Sequence, residues 1–490
     1  MLPTTLAAVA AVTGGRLHRA RGDERVTAVE FDTRAIGPGG LFVALPGARV
    51  DGHDFAAAAV AAGAVGVLAG REVDAPAVIV PPVDRAASID SAGSYLAGTD
   101  PDGRGAAVLA ALATLAGHSV RALEGLAVVG VTGSSGKTST KDLIAAVLTP
   151  LGATVAPPGS FNNELGLPWT ALRAGADTRH LVLEFSARGP GHIAALAAAV
   201  PPRIGVVLNV GSAHLGEFGS TAAIAVAKGE LVEALDGDGV AVLNADDPAV
   251  AAMGIRTAAR VVLTGRHPNA HIRAENVVLV AGRARFTLRT PSGDAEVALR
   301  LVGEHHVGNA LAAAAVGHEL GATPAGIAES LSAATPTSRW RMELVDLPGG
   351  VTVVNDAYNA NPESMRAALA ALASVSAADP AATGGGRRRT WAVLGGIGEL
   401  GAGSDAAHAQ VAQDARAHGV DELVAVAAPE YGTSFDGGRL RHAADVDEAL
   451  ALLRAELRPG DVVLIKASRA AGLERLAASL IDTALSGGVR

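Results

Sequence analysis

"LAVVGVTGSSGKTSTKDLIAAVL", residues 126–148, decides the fold of this chain. An apolar run, a Gly/Ser turn and a helical pattern follow one another, so the segment reads as strand, loop and helix. Backbone N–H groups of such a loop, with the positive end of the helix behind them, bind phosphate oxygens. Lys137 sets an ammonium against the β- and γ-phosphates, and the Thr138 hydroxyl reaches a Mg²⁺ ion. Gly133, Ser134, Ser135, Gly136, Lys137, Thr138 and Ser139 are therefore the expected cradle for a nucleoside triphosphate. The spacing departs from the strict motif, because five residues rather than four separate Gly130 from Gly136. Gly133 supplies the inner flexibility.

On both sides of this segment the same grammar repeats. "HLVLEF" (180–185), "RIGVVLNV" (203–210), "GVAVLN" (239–244) and "ARVVLTG" (259–265) are short apolar runs that end in Gly, Glu, Asn or Thr. Buried parallel strands read this way, with functional loops at their carboxyl ends. Upstream, "GLFVAL", "VGVLAG" and "AVIV" alternate with a helical "DFAAAAVAAGA" (54–64). Downstream of "SAATPTSRWRMEL" (332–344), "VTVVNDA", "TWAVLGG", "ELVAVAA" and "DVVLIKA" form a further α/β unit. At 490 residues one core does not suffice. The expectation is an α/β protein of three domains: a small N-terminal unit over 1–103, a central mostly parallel sheet over 104–334, and a Rossmann-like unit over 335–490.

Composition excludes several function classes. A net charge of −9 supplies no basic face for nucleic acid and no polybasic membrane patch. There is no Cys, which removes disulfides, thiolate nucleophiles and Cys-ligated zinc. No run reaches the ~18 apolar residues that span a bilayer. "MLPTTLAAVAAVTGGRL" lacks a positive start and reads as a helix capped by Thr4 or Thr5 and ended by Gly14-Gly15, not as a signal peptide. A soluble cytoplasmic protein, and a monomer, is expected.

Glu184 ends one strand and His214 follows another, so both emerge at the sheet edge that carries the phosphate loop. A cation bridging phosphates favours a carboxylate, and His is a possible second-metal ligand. The plainer alternatives are a solvated strand-end Glu and a His that caps a turn. Lys228 raises a sharper question. The chain holds only four lysines, at 137, 141, 228 and 466, among 40 basic residues. Lys228 lies on a helix, "STAAIAVAKGELVEAL" (220–235), capped by Ser220 or Thr221, where Arg could replace a solvent-facing Lys. An unprotonated primary amine, unlike a guanidinium, can add CO₂ and become a carbamate, an oxygen ligand for a metal.

Together the motifs resemble the Mur ligases, ATP-dependent amide-forming enzymes of peptidoglycan precursor synthesis, over nearly the whole chain. "VTGSSGKTSTK" is similar to the family's ATP loop and "LEFSARGPGHI" to its Mg²⁺-binding glutamate segment. "NVGSAHLGEFGS" followed by "VAKGEL" resembles its histidine and carbamylated-lysine segments. "LNADDP", "GEHHVGNALAAAAV" and "NDAYNANPESM" are also family-like. The resemblance implies two Mg²⁺ ions held by Thr138, Glu184, His214 and a carbamylated Lys228, with Lys137, Glu184, His214 and Lys228 as the catalytic set. It places Asn309 against the adenine, and Arg341 and Asp356 on phosphate and ribose.

"GSFNNELGLPWTAL" (159–172), "NDAYNANPESM" and "LIKASRAAGLE" resemble the branch of the family that adds a dipeptide, which implies UDP-N-acetylmuramoyl-tripeptide and D-alanyl-D-alanine as substrates. "FDTRAIGPGGLFVALPGARVDGHDF" (31–55) resembles the UDP-binding domain, with Thr33 and Arg34 at the UDP end. Asn162 and Asn163 are expected on the muramyl peptide, and Tyr358, Asn359 and Asn361 toward the dipeptide. The alternatives are a ligase of the family that adds the third residue, a folylpolyglutamate-type ligase, and a nucleotide-dependent switch. The Asp-Asn-Pro-Arg signature of the diaminopimelate-adding branch is absent, and the UDP-type start argues against the folate enzyme. Phe185 and Ser186 stand where the family usually has Met and Gly. "LGGIGELG" (394–401) lacks the acidic and Met residues usual before "ELG", and Ala467 replaces a usual Gly.

Overall fold

The computed structural model describes residues 1–83, 96, 98–212, 215–377, 386–432 and 438–487. Among the described residues, three sheets follow in chain order, besides a two-stranded antiparallel pair of Thr4–Thr5 with Arg25–Val26. The first holds five strands, with Ala28–Glu30, Gly40–Val43, Ala64–Ala69 and Ala77–Ile79 parallel and Arg16–His18 antiparallel at one edge. The N-terminal helix, Leu6–Thr13, starts at Thr5, whose hydroxyl accepts from the Ala8 N–H. It stops at Gly14, whose φ of 66° suits a residue without a side chain.

The central sheet has nine strands. Thr154–Val155, His180–Glu184, Ala127–Thr132, Ile204–Val207, Val240–Asn244, Arg260–Gly265 and Ile272–Val280 lie side by side in parallel. Arg283–Thr290 and Gly293–Val302 then continue it antiparallel. Strand Ala127–Thr132 is wholly buried, which explains its unbroken apolar reading. The antiparallel extension alternates Arg and Glu with apolar residues and exposes one face, so no apolar run marks it in the sequence.

The third sheet has six strands. Thr352–Asn355, Val462–Lys466, Thr390–Gly395, Glu422–Val426 and Arg439–Ala443 are parallel, with Glu343–Asp346 antiparallel at the edge. Ala467 packs against Gly395, where a Cβ would come within 2.8 Å of the Ala467 Cβ. The methyl at 467 is therefore accommodated by the bare backbone opposite.

Two seams join the units. Phe31, Phe161 and Trp169 form an aromatic cluster between the first and central sheets, and the Trp169 indole N–H donates to the Val29 carbonyl at 3.0 Å. The third unit meets the phosphate loop, where Asn361 Nδ2 donates to the Ser134 carbonyl. No described helix is long and apolar enough to cross a membrane.

Candidate active site

Strand Ala127–Thr132 delivers the loop 133–136 to the N-terminus of helix Lys137–Leu148. Gly136 has φ of 81°, and a Cβ there would sit 2.8 Å from Asn309 Oδ1, so geometry and space both require glycine. Asn309 thus lies directly against the loop, buried on helix His306–Glu319. Lys137 Nζ donates back to the Gly133 carbonyl at 2.7 Å. Desolvation lowers its pKa, Glu184 opposes that fall, and Arg341 adds to it.

Asn209, at the end of the neighbouring strand, pins the loop. Its Oδ1 accepts from Ser135 N at 2.9 Å, its Nδ2 donates to Ser135 O at 3.2 Å, and its carbonyl accepts from Ser134 N. Sequence reasoning noticed that this strand ends in Asn without assigning the residue; the rule that strand ends carry function would have found it.

Glu184 is level with Val131 in the sheet register and fully buried. Its Oε2 accepts from Ser160 Oγ at 3.0 Å and from Asn162 Nδ2 at 3.3 Å, while Oε1 has no hydrogen-bond partner. A buried carboxylate oxygen left bare is costly unless an external ligand meets it. Among the described residues no three His, Asp or Glu side chains form a metal cage. A Mg²⁺ ion needs none, since it is commonly held by one or two carboxylates, water and phosphate oxygens. Glu184 with the Thr138 hydroxyl fits that demand. Phe185 behind it is fully buried, with its ring against Gly130, whose Cβ would meet it at 2.8 Å.

Lys228 lies buried on helix Thr221–Glu233, which Ser220 caps. Among the described residues no hydrogen bond or ion pair meets its Nζ. Burial first and the charge on Lys137 second push its pKa well below the usual lysine value. The shift favours the neutral amine, the form that can add CO₂. His214 lies outside the described residues.

The third unit closes the cleft. Arg341 Nη2 donates to Thr138 Oγ1 at 3.3 Å, and its guanidinium stacks 3.9 Å from the Tyr358 ring centroid. Asp356 accepts from Met342 N at 3.1 Å and pairs with Lys466 Nζ at 2.6 Å. Lys466 also donates to the Asn359 carbonyl at 2.9 Å. Both ends of the Asn361 amide are in use. Its Oδ1 accepts from Ser364 N to cap helix Pro362–Ser376, and its Nδ2 donates to Ser134 O at 3.3 Å. Glu363 takes both the Ser212 N–H and hydroxyl. A cleft of about 400 Å³ results, lined by the phosphate loop, Asn162, Asn309, Arg341, Asp356, Tyr358, Asn359 and Asn361.

Of the remaining expected residues, Asn163 accepts from Gly166 N at 2.9 Å, at the start of the next helix. Thr33 and Arg34 do not line this cleft; they lie in the turn after Ala28–Glu30, where Arg34 pairs with Asp32 at 2.7 Å. Sequence reasoning assigned no role to Ser160, Glu363 or Lys466. For Lys466 the signal was present, because lysine is rare here and this one follows an apolar run.

These features define a nucleotide-dependent ligase fold, and the chain belongs to the Mur ligase family. The Mur ligase catalytic, middle and glutamate ligase domain models match residues 25–93, 131–317 and 340–469 in turn. The UDP-N-acetylmuramoyl-tripeptide--D-alanyl-D-alanine ligase of Mycobacterium tuberculosis is 53% identical over 521 aligned residues, covering 100% of both chains. The Escherichia coli protein of that name is 34% identical over 98% of this chain and 99% of its own. Among solved structures, MurF from Acinetobacter baumannii superposes with a TM-score of 0.81 at 28% identity, covering 98% of this chain and 99% of that one. MurF ligase from Thermotoga maritima in complex with ADP gives 0.76 at 27% identity, covering 94% and 98%.

Proposed function

We propose that this chain joins D-alanyl-D-alanine to UDP-N-acetylmuramoyl-tripeptide, with ATP converted to ADP and phosphate. The full-length correspondence with ligases of that name carries the reading, and the cleft's chemistry agrees with it. The peptide's terminal carboxylate oxygen attacks the γ-phosphorus and the bond to the β-phosphate oxygen breaks, giving an acyl phosphate and ADP. The dipeptide amine then attacks the acyl carbon, loses its proton, and inorganic phosphate leaves. Phosphorylation is needed because oxide is a prohibitive leaving group from a carboxylate.

The protein's part is positioning and charge neutralisation. Lys137 faces the transferring group from the loop. Thr138 and Glu184 would hold one Mg²⁺, and His214 with a carbamate on Lys228 a second; bound ions would offset charge on the phosphoryl oxygens. The burial of the Lys228 amine, with its pKa pushed down, supports the carbamate. Asn309, against the loop at Gly136, takes the adenine in this reading, and Arg341 and Asp356 take phosphate and ribose. Thr33 and Arg34 take the UDP end, Asn162 and Asn163 the muramyl peptide, and Tyr358, Asn359 and Asn361 the dipeptide side.

Boundaries at 1–103, 104–334 and 335–490 suit this division, since each family match falls within one of them. A monomer acting in the cytoplasm, the compartment of a UDP-linked substrate, completes this reading. The test is ADP release with mass analysis of the product. Both peptide substrates should be required and the product should carry the added dipeptide; ADP formation without the dipeptide, or an unextended product, overturns the reading.

A further inference from the structure

The cleft does not explain what holds Lys228 in place. A lysine side chain is a flexible stem, and among the described residues no hydrogen bond or ion pair meets this one's Nζ. Beyond the packing of its buried stem, its position is set by the backbone turn that carries it, residues 225–230 of helix Thr221–Glu233.

Two groups grip that turn. Glu230, buried two residues beyond Lys228, accepts from Gly191 N at 2.6 Å and Ala194 N at 3.0 Å. Arg256, which ends the short 3₁₀ turn Ala252–Arg256, lays its guanidinium on the helix backbone. Nη1 donates to the Ala225 carbonyl at 3.1 Å and Nη2 to the Val226 carbonyl at 2.8 Å, while Nε donates to Glu233 Oε1 at 2.9 Å. In helical register these carbonyls face the N–H groups of Gly229 and Glu230, so the guanidinium brackets the turn at Lys228. Gly229 makes room for it, because a Cβ there would run into Arg256 Nη1 and Cζ. Glycine inside a helix weakens it relative to alanine; here an arginine from another segment fills the space.

We propose that Arg256 is a positioning residue for Lys228. By clamping the turn at Gly229 it fixes where the Lys228 nitrogen, and the carbamate formed on it, meets the cleft. The inference rests on the carbamate reading above and adds the group that aims it. In that chemistry the amine nitrogen bonds the carbon of CO₂, one C–O π pair moves onto oxygen, and the nitrogen gives its proton to water. Displacement of a reacting assembly by about 1 Å costs on the order of a hundredfold in rate. Arginine suits the task better than lysine, since two adjacent carbonyls call for a planar fork of donors.

Arg256→Gln should lower kcat about ten- to a hundredfold, the usual effect of a group behind a metal ligand. The Mg²⁺ concentration for half-maximal rate should rise and KM for ATP should stay near that of the unaltered enzyme. With isotope-labelled bicarbonate, the carbamate resonance in the carbon NMR spectrum, which Lys228→Ala should lack, should weaken. Gly229→Ala should do the same by pushing the guanidinium off the helix, and it serves if Arg256→Gln unfolds, because alanine favours the helix. Glu233→Gln cuts the ion pair of Arg256 and spares its carbonyl bonds, so it should keep both kcat and the resonance. Retention of kcat and resonance in Arg256→Gln or Gly229→Ala, or their equal loss in Glu233→Gln, overturns the clamp. No resonance in the unaltered enzyme, with Lys228→Ala fully active, overturns the carbamate reading instead.

Discussion

Two carboxylates at the ends of parallel strands, Asp356 in the wall of the cleft and Glu184 behind Ser160 and Asn162 of that wall, are treated in opposite ways. In the central sheet Glu184 keeps one buried oxygen without a partner. In the third sheet Asp356 spends one oxygen on the Met342 N–H and the other on the Lys466 ammonium. The lysines follow the same division: Lys228 is buried without a partner among the described residues, whereas Lys466 is paired. Leaving groups bare costs stability, so a protein that does so on one wall and not on the other separates two tasks. The central wall is prepared for charges that arrive from outside. The third-unit wall is a finished platform that holds Tyr358 and Asn359 in place.

The strongest way to break this contrast is at the loop itself. Lys137→Ala should lower ADP release on the order of a thousandfold, and turnover like that of the unaltered enzyme would remove the loop from the mechanism. Glu184→Gln should follow, with a loss of about a hundredfold and a higher Mg²⁺ concentration for half-maximal rate; an unchanged Mg²⁺ titration would mean the bare oxygen serves something else.

Lys228→Ala should cost a comparable factor, and added short carboxylates should partly restore it. Full activity in Lys228→Arg would end the carbamate idea, because a guanidinium does not add CO₂. The lowered pKa of Lys228 gives a sign for pH as well. Its neutral form persists to lower pH than that of an exposed lysine. Acidification through the lowered pKa protonates it, so activity should fall on the acid side and recover when bicarbonate is raised.

The paired wall should answer differently. Lys466→Met leaves Asp356 buried without its counter-charge, which should lower unfolding free energy by about 3–5 kcal/mol, measured by urea denaturation. KM for ATP should rise while kcat changes least of the four. Asp356→Asn combined with Lys466→Met should recover much of the stability but not the ATP affinity. If the single substitution instead removes kcat and spares stability, the platform reading fails.

Much of this was legible in the sequence because buried parallel strands announce themselves as apolar runs with polar ends. Ala127–Thr132, His180–Glu184 and Ile204–Val207 fall within the runs read as strands, and Thr5, Ser220 and Gly14 cap helices as their residue types suggest. The extension from Arg283 to Val302 escaped, because a half-exposed antiparallel ribbon alternates charged and apolar residues. Contacts across long separations escaped too. Nothing local in "NANPESM" says that Asn361 will reach Ser134, or that Glu363 will hold Ser212, since those bonds exist only once the third unit docks. Lys466 was legible only as an oddity of usage, and its partner, 110 residues away, was not.

The placement of the four lysines has a practical corollary. Lys141, Lys228 and Lys466 are each at most 4% exposed, and Lys137 is recessed in the cleft. A reagent that acylates amines at neutral pH therefore meets no ordinary surface lysine on this protein. Its first stoichiometric hit beyond the N-terminus would report on the cleft, and ATP should shield it, which turns a commonplace labelling reaction into a footprint of nucleotide occupancy.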